Sequence, residues 1–294
     1  MTVELRSRVK PRRQRYSTVL TIAMIAIFAY ALLPLVWLVI NSTKNTGDLF
    51  NSFGLAFGAH FNLFQNLQRL FEYNGGIVWR WLANTVLYAG GAAVLAAIVA
   101  ALGGYGLAKF DFRGKRVIVA VVLGAVMIPG TALAVPTYLL FSQVGLVDTP
   151  WAVILPSAVS PFGLFLLNVY AQEAVPDSLI EAARMDGASE VRIFFSIVLR
   201  ILGPGIVTVL LFQLVATWNN YFLPLIVLNS PENFPITVGL NMLNGLANSG
   251  GAGAGQQLFP LVITGALVSI VPLIVSFLVL QRYWQSGLTT GGVK

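Results

Sequence analysis

The sequence contains no cysteine and a single histidine, His60. Without thiols there is no disulfide framework, no Cys-based zinc site and no thiol nucleophile, and any Ser–His or zinc–His chemistry rests on His60 alone. Charge is also scarce, at 10% of 294 residues. A soluble domain carries about 25%, so with 57% apolar residues and a mean hydropathy of +0.79 the chain is not freely soluble. It also lacks a GxxxxGK[ST] phosphate loop, which excludes nucleotide hydrolysis of that type within this chain.

The charge that is present lies unevenly. Residues 1–17 form a basic arm with Arg6, Arg8, Lys10, Arg12, Arg13 and Arg15 against Glu4, which is +5 of the net +7. A short basic arm ahead of a long apolar run reads as a cytoplasmic flank on membrane lipid, and not as a nucleic-acid site.

Uncharged apolar stretches long enough to cross a bilayer run over 18–40, 82–108, 117–142, 151–172, 201–228 and 258–280, which predicts an all-α membrane protein with six transmembrane helices. The first exceeds the roughly 7–15 apolar residues of a signal peptide, despite an A-x-A pattern at Ala29 and Ala31. With residue 1 inside, 15 basic residues fall in inner segments and only Lys44, Arg69 and Arg80 outside, so the expectation is that both termini are cytoplasmic. Trp37, Trp79, Trp81, Trp151 and Trp284 fall near span ends, where interfacial rings are expected. Residues 41–80 read as a long external segment with a short helix through Leu63, Leu67 and Leu70. Residues 229–257 read as a second external loop ending in a mobile glycine-rich run.

All 29 charged residues lie outside these spans, which argues against proton relays or hydrolysis within the membrane, although a sodium site built from carbonyls stays open. In the second span Ala92, Ala96, Ala100 and Gly104 recur every four residues, a small-residue face for close helix packing. In the fifth, Gln213, Thr217 and Asn220 share one face. Two readings stand for that face: an inter-helix hydrogen bond, or the wall of a translocation path.

The inner loop 173–200 carries the strongest signal. Ser178 and Glu181 have capping-box spacing after Pro176, Gly187 suits a left-handed stop, and Ser189 suits the cap of a second helix running through Ile193, Phe194 and Ile197. Glu181 and Arg184 stand at i,i+3, and Ala182, Ala183 and Met185 supply a small apolar surface fit for a partner's groove. By physics alone this is also compatible with a solvated surface helix.

The run Glu181-Ala182-Ala183, three residues, Gly187, nine residues, then Ile197 and Leu199 resembles the EAA loop of the integral membrane permease subunits of binding-protein-dependent ABC importers. The string EAARMDGAS is similar to the carbohydrate-uptake, maltose-type branch. Met127-Ile128-Pro129, residues 151–165, Trp218-Asn219, Gln281-Arg282-Tyr283 and Gly287-Leu288-Thr289 extend the likeness over most of the chain. One departure is Arg200 where the family commonly has proline; Pro204, a turn later, is the alternative source of the kink.

The resemblance implies a type I ABC importer permease fold in a bacterial inner membrane, with residues 18–294 as the permease domain. It implies no cofactor in this chain, ATP and Mg being held by two partner ATPase subunits, together with a second homologous permease and an extracytoplasmic sugar-binding protein. It also implies roles: Glu181, Ala182, Ala183, Arg184, Met185, Asp186, Gly187 and Ala188 couple to the ATPase; Gln213, Thr217 and Asn220 line the path; Gly250, Gly251, Gly253 and Gly255 meet the binding protein. A secondary carrier or channel independent of an ATPase, and a membrane scaffold with no path, are the competing classes.

Overall fold

The computed structural model describes residues 18–250 and 255–289, with side chains described as far as Gln281. Among the described residues the fold is all helical. The elements in chain order are α1 Thr18–Ser42, α2 Thr46–Asn51, α3 Leu63–Glu72, α4 Ile77–Lys109, α5 Lys115–Val126, α6 Ala134–Gln143, α7 Pro150–Ala158, α8 Pro161–Ala174, α9 Asp177–Met185, α10 Glu190–Ile201, α11 Gly203–Trp218, α12 Phe222–Val227, α13 Ile236–Ser249 and α14 Phe259–Thr289. Among the described residues four helical stretches are long and apolar enough to cross a membrane, and six if each of two bent pairs counts as one span.

The bends fall where the sequence forces them. The expected span 117–142 is α5 and α6 meeting at 100°, because Pro129 has no amide to donate and pushes Ile128 out of helical geometry. The expected span 201–228 stops at Trp218, and α12 follows separately after Asn219–Tyr221. On its other side α10 meets α11 at 76°, with the break at Leu202 and Pro204 in the first turn of α11. Pro204 thus does the work expected of a proline at Arg200. Within α10 a π turn at Phe194–Val198 re-aims the chain toward that break.

α4 is the hub, packing on α7, α8 and α11. Its small-residue face is buried as expected: Ala92, Ala96 and Ala100 have at most 1% exposure. A Cβ on Gly104 would lie 2.8 Å from the backbone of Leu167 and Asn168, so only glycine lets α4 and α8 approach this closely. At the opposite end of α4, Trp81 is fully buried and not interfacial. Its Nε1 donates to the Pro231 carbonyl at 2.8 Å, and its ring fills the space a side chain at Gly239 would need.

Residues 236–249 are not a loop but α13, which buries Ile236, Val238, Leu243 and Ala247 against α4 and α14. Its apolar residues at i, i+2, i+7 and i+11 sit among polar ones, so no uninterrupted apolar run flags it in the sequence. The expected short helix in 41–80 is present as α3, joined by α2.

Candidate functional site

α9 projects from the end of the bundle at which α4 finishes. Lys109, the last residue of α4, donates from Nζ to Asp177 Oδ1 at 2.7 Å, and Asp177 is the first residue of α9. Ile180 is the buried residue of this helix. With Ala183 it plugs into a cluster of Tyr105, Val175, Ile193, Phe194 and Val198. Burying one aliphatic side chain of this kind contributes about 1.5–3 kcal/mol, enough to seat the helix but not to hide it. Leu179, Ala182 and Met185 therefore remain as an outward apolar ridge beside Glu181, with Met185 88% exposed. The expected apolar surface is thus divided, Ala183 turning inward while Ala182 and Met185 face out.

Both ends of α9 are fixed, one of them differently from the sequence expectation. Ser178 is not the N-cap. Pro176 holds that place with φ −67° and ψ 134°, its carbonyl accepts from Leu179 N at 3.2 Å, and Ser178 already lies in the first turn. Proline wins because its φ is preset and it has no amide to leave orphaned, and Asp177 then places a carboxylate at the helix's positive end.

At the other end Ala188 N donates to Ala183 O and Gly187 N to Arg184 O, both at 3.0 Å, with Gly187 at φ +79°. This is the six-to-one and five-to-two closure that a left-handed glycine permits. Asp186, the residue just before that glycine, is exposed at the turn. Ser189 then caps α10, accepting from Arg192 N at 3.4 Å. Arg184 pairs with Glu190 at 2.6 Å and not with Glu181, and its guanidinium lies 5.9 Å from the Phe110 ring centroid. Glu181 is left exposed and available.

A cavity of about 650 Å³ opens between α5, α6, α7 and α11. Gln213, Thr217 and Asn220 all line it, so the shared face read from their spacing is real. Gln213 Nε2 donates to Thr217 Oγ1 at 3.3 Å within the same helix, so that bond does not tie two helices together. Thr131, Thr137 and Ser157 complete the polar lining from three other segments. Sequence reading missed them because each is a lone hydroxyl in an apolar run, brought to the cavity by the breaks at Pro129 and Pro161. Among the described residues none of the lining side chains is charged.

At the end opposite α9, Asp148 clasps two connections. It takes a left-handed φ of +62°, and its Oδ1 accepts from the amides of Asn229 and Ser230, both at 3.0 Å; Ser230 Oγ donates to Oδ2 and Asn233 Nδ2 to the Asp148 carbonyl at 2.7 Å. Burial pushes its carboxyl up, but these donors outweigh it and hold the group at about 2. Nothing in the sequence marked Asp148. Of the glycines expected to meet a binding protein, Gly251 and Gly253 lie outside the described residues. Gly250 and Gly255 close on each other, a Cβ on Gly250 falling 2.7 Å from Gly255 Cα.

Over most of its length the chain is similar to arabinooligosaccharides transport system permease protein AraQ of Halalkalibacterium halodurans, at 34% identity covering 95% of this chain and 96% of the relative. The same protein of Bacillus subtilis is 33% identical, covering 98% and 99%. Lactose transport system permease protein LacG of Rhizobium radiobacter is 30% identical, covering all of both chains. The fold is similar to a chain of a bacterial ABC transporter involved in import of the acidic polysaccharide alginate, with a TM-score of 0.79, 24% identity and coverage of 94% and 100%. Residues 93–289, which hold the cavity, the Asp148 clasp and α9, match the binding-protein-dependent transport system inner membrane components, and the chain belongs to that family of multi-pass membrane proteins.

Proposed function

We propose that this chain is a permease subunit of an ATP-driven sugar importer, inserted with both termini cytoplasmic, and that α9 is its grip on a cytoplasmic ATPase. The observation that carries this reading is α9 itself. A helix stopped at both ends, seated by Ile180 and tied to α4 by an ion pair, presents an apolar ridge that the described residues leave uncovered. A rigid lever needs fixed ends, and a docking helix needs an outward apolar face. Closure of the ATPases then moves α9, and through Lys109 and Ile180 moves the long helix α4, rocking the bundle as a rigid body.

The cavity supports transport over scaffolding. Its hydroxyl and amide lining suits a solute rich in hydroxyl groups, and its freedom from charge supports a driving force supplied elsewhere and not by an ion relay within the bilayer. The permeases for arabino-oligosaccharides and lactose that it resembles support a carbohydrate cargo. The full assembly in this reading holds a second homologous permease, two ATPase subunits carrying ATP and Mg, and an extracytoplasmic sugar-binding protein.

Reconstitution tests it. Liposomes holding this chain with its co-expressed partner subunits are expected to take up oligosaccharide only with internal ATP and external binding protein. Concentrative uptake by the isolated chain under an ion gradient would instead make it a secondary carrier.

A further inference from the structure

The segment between α1 and α3 carries an unusual surface. Phe50, Phe53, Phe57, Phe61 and Phe64 are all exposed, Phe53 and Phe64 at 74%. From Asn45 to Gln68 the one formally charged residue is Asp48, and its Oδ2 is buried. The adjoining Lys44 is fully buried, its Nζ donating inward to the Phe53 carbonyl at 3.0 Å. The segment therefore displays its aromatic rings with one half-buried carboxylate for charge, an unusual balance for a loop in water.

Its position decides between partners. The chain does not project beyond the bundle but folds back along α1: Asn41 Nδ2 donates to the Gly54 carbonyl at 2.8 Å, and Gly54 lies so close to Trp37 that a Cβ would fall 2.9 Å from the indole nitrogen. Trp37 and Asn41 are four residues apart, about 6 Å along the helix, so Gly54 sits level with the last turn of α1. Phe50 packs edge-on against Phe259, the first residue of α14, with ring centroids 5.4 Å apart. The aromatic surface is thus continuous with the exposed apolar flank of α1 and level with the ends of two membrane-crossing helices.

We propose that residues 46–64 form an in-plane aromatic anchor, with Phe53, Phe57, Phe61 and Phe64 seated in the interfacial layer of the lipid leaflet at the end of the bundle opposite α9. Rings at that depth are favoured where apolar body and headgroup meet, and buried Lys44 keeps the backbone of Phe53 in register with the end of α1. A protein partner would also accept aromatic rings, but the contacts of Gly54 with α1 and of Phe50 with α14 hold this segment level with the ends of two membrane-crossing helices, with half-buried Asp48 as its one formal charge from Asn45 to Gln68.

The test uses the chain's lack of cysteine. Phe57→Cys, Phe61→Cys and Phe64→Cys are each labelled with a nitroxide, in the complex with its co-expressed partner subunits in lipid nanodiscs. Collision with oxygen is then compared with collision with a water-soluble nickel chelate. The expected oxygen-to-nickel ratio lies above that of Glu72→Cys and below that of Ile25→Cys, which sits deeper along α1, as an interfacial depth requires. A ratio equal to that of Glu72→Cys would place the rings in water and overturn the proposal. Low access to both reagents would place them under a protein partner, which overturns it equally.

Discussion

Lys109 and Asp177 lie 68 residues apart in sequence and meet at 2.7 Å, joining the last residue of α4 to the first of α9. The lysine is nearly buried and the aspartate largely exposed. A pair this open to water contributes little to stability, on the order of 0–1 kcal/mol, so its value lies in direction: it couples α9 to the longest unbroken helix of the bundle. Asp177→Asn should leave thermal stability within about 1 kcal/mol of wild type. In the reconstituted complex it should lower sugar transported per ATP hydrolysed several-fold. Unchanged coupling would assign α9's motion to Ile180 alone.

Gly187 gives a sharper substitution series. No atom lies within 4 Å of a Cβ placed there, so space is not the constraint; φ of +79° is. Gly187→Ala should cost about 1 kcal/mol at the α9 stop and reduce coupling, and Gly187→Asn should recover much of it, because asparagine tolerates the left-handed region. Equal transport in all three would mean that the stop is not part of the lever.

Two glycines of α4 predict opposite outcomes from one chemical change. Gly104→Ala drives a methyl against the backbone of Leu167 and Asn168, and should destabilise the protein by about 1–3 kcal/mol. Gly106→Ala meets nothing within 4 Å inside the same helix and should stabilise it by roughly 0.4–1 kcal/mol. Melting curves of the purified protein distinguish them. A loss in both variants would remove close α4–α8 approach as the explanation.

The Asp148 clasp predicts a pH dependence. Its folded carboxyl, at about 2, lies below the ordinary 3.8, so the unfolded chain takes up the proton first as pH falls. The stability it contributes is fully present above about pH 4 and is lost as pH drops through about 2. The melting temperature of wild type should fall more steeply between these values than that of Asp148→Asn, which should already be less stable at neutral pH. Parallel slopes would mean that the clasp is already open in solution.

Much of this was legible in the sequence because it depends on local chemistry. Composition gave the membrane class, four-residue spacing gave the buried face of α4, steps of four and three gave the shared face of Gln213, Thr217 and Asn220, and one glycine gave the end of α9. Ser178 misled because a capping box and a proline cap compete within two residues, and the preset φ of Pro176 prevailed. α13 was hidden because its apolar residues are scattered among polar ones and its burial against α4 is set by Trp81, more than 150 residues away. Asp148, Lys109–Asp177 and the three cavity hydroxyls are likewise products of tertiary placement, and no spacing rule reaches them.

The central claim is that α9 grips an ATPase, and Met185, 88% exposed on its outer ridge, offers the most direct measurement. Met185→Cys would be the only cysteine in the chain. A photo-activatable label placed there, in membranes holding the co-expressed partner subunits, should form a single covalent product with the ATPase subunit, in a yield that changes when ATP is added. Labelling of lipid or of no protein, with or without ATP, would contradict the account and leave α9 a solvated surface helix.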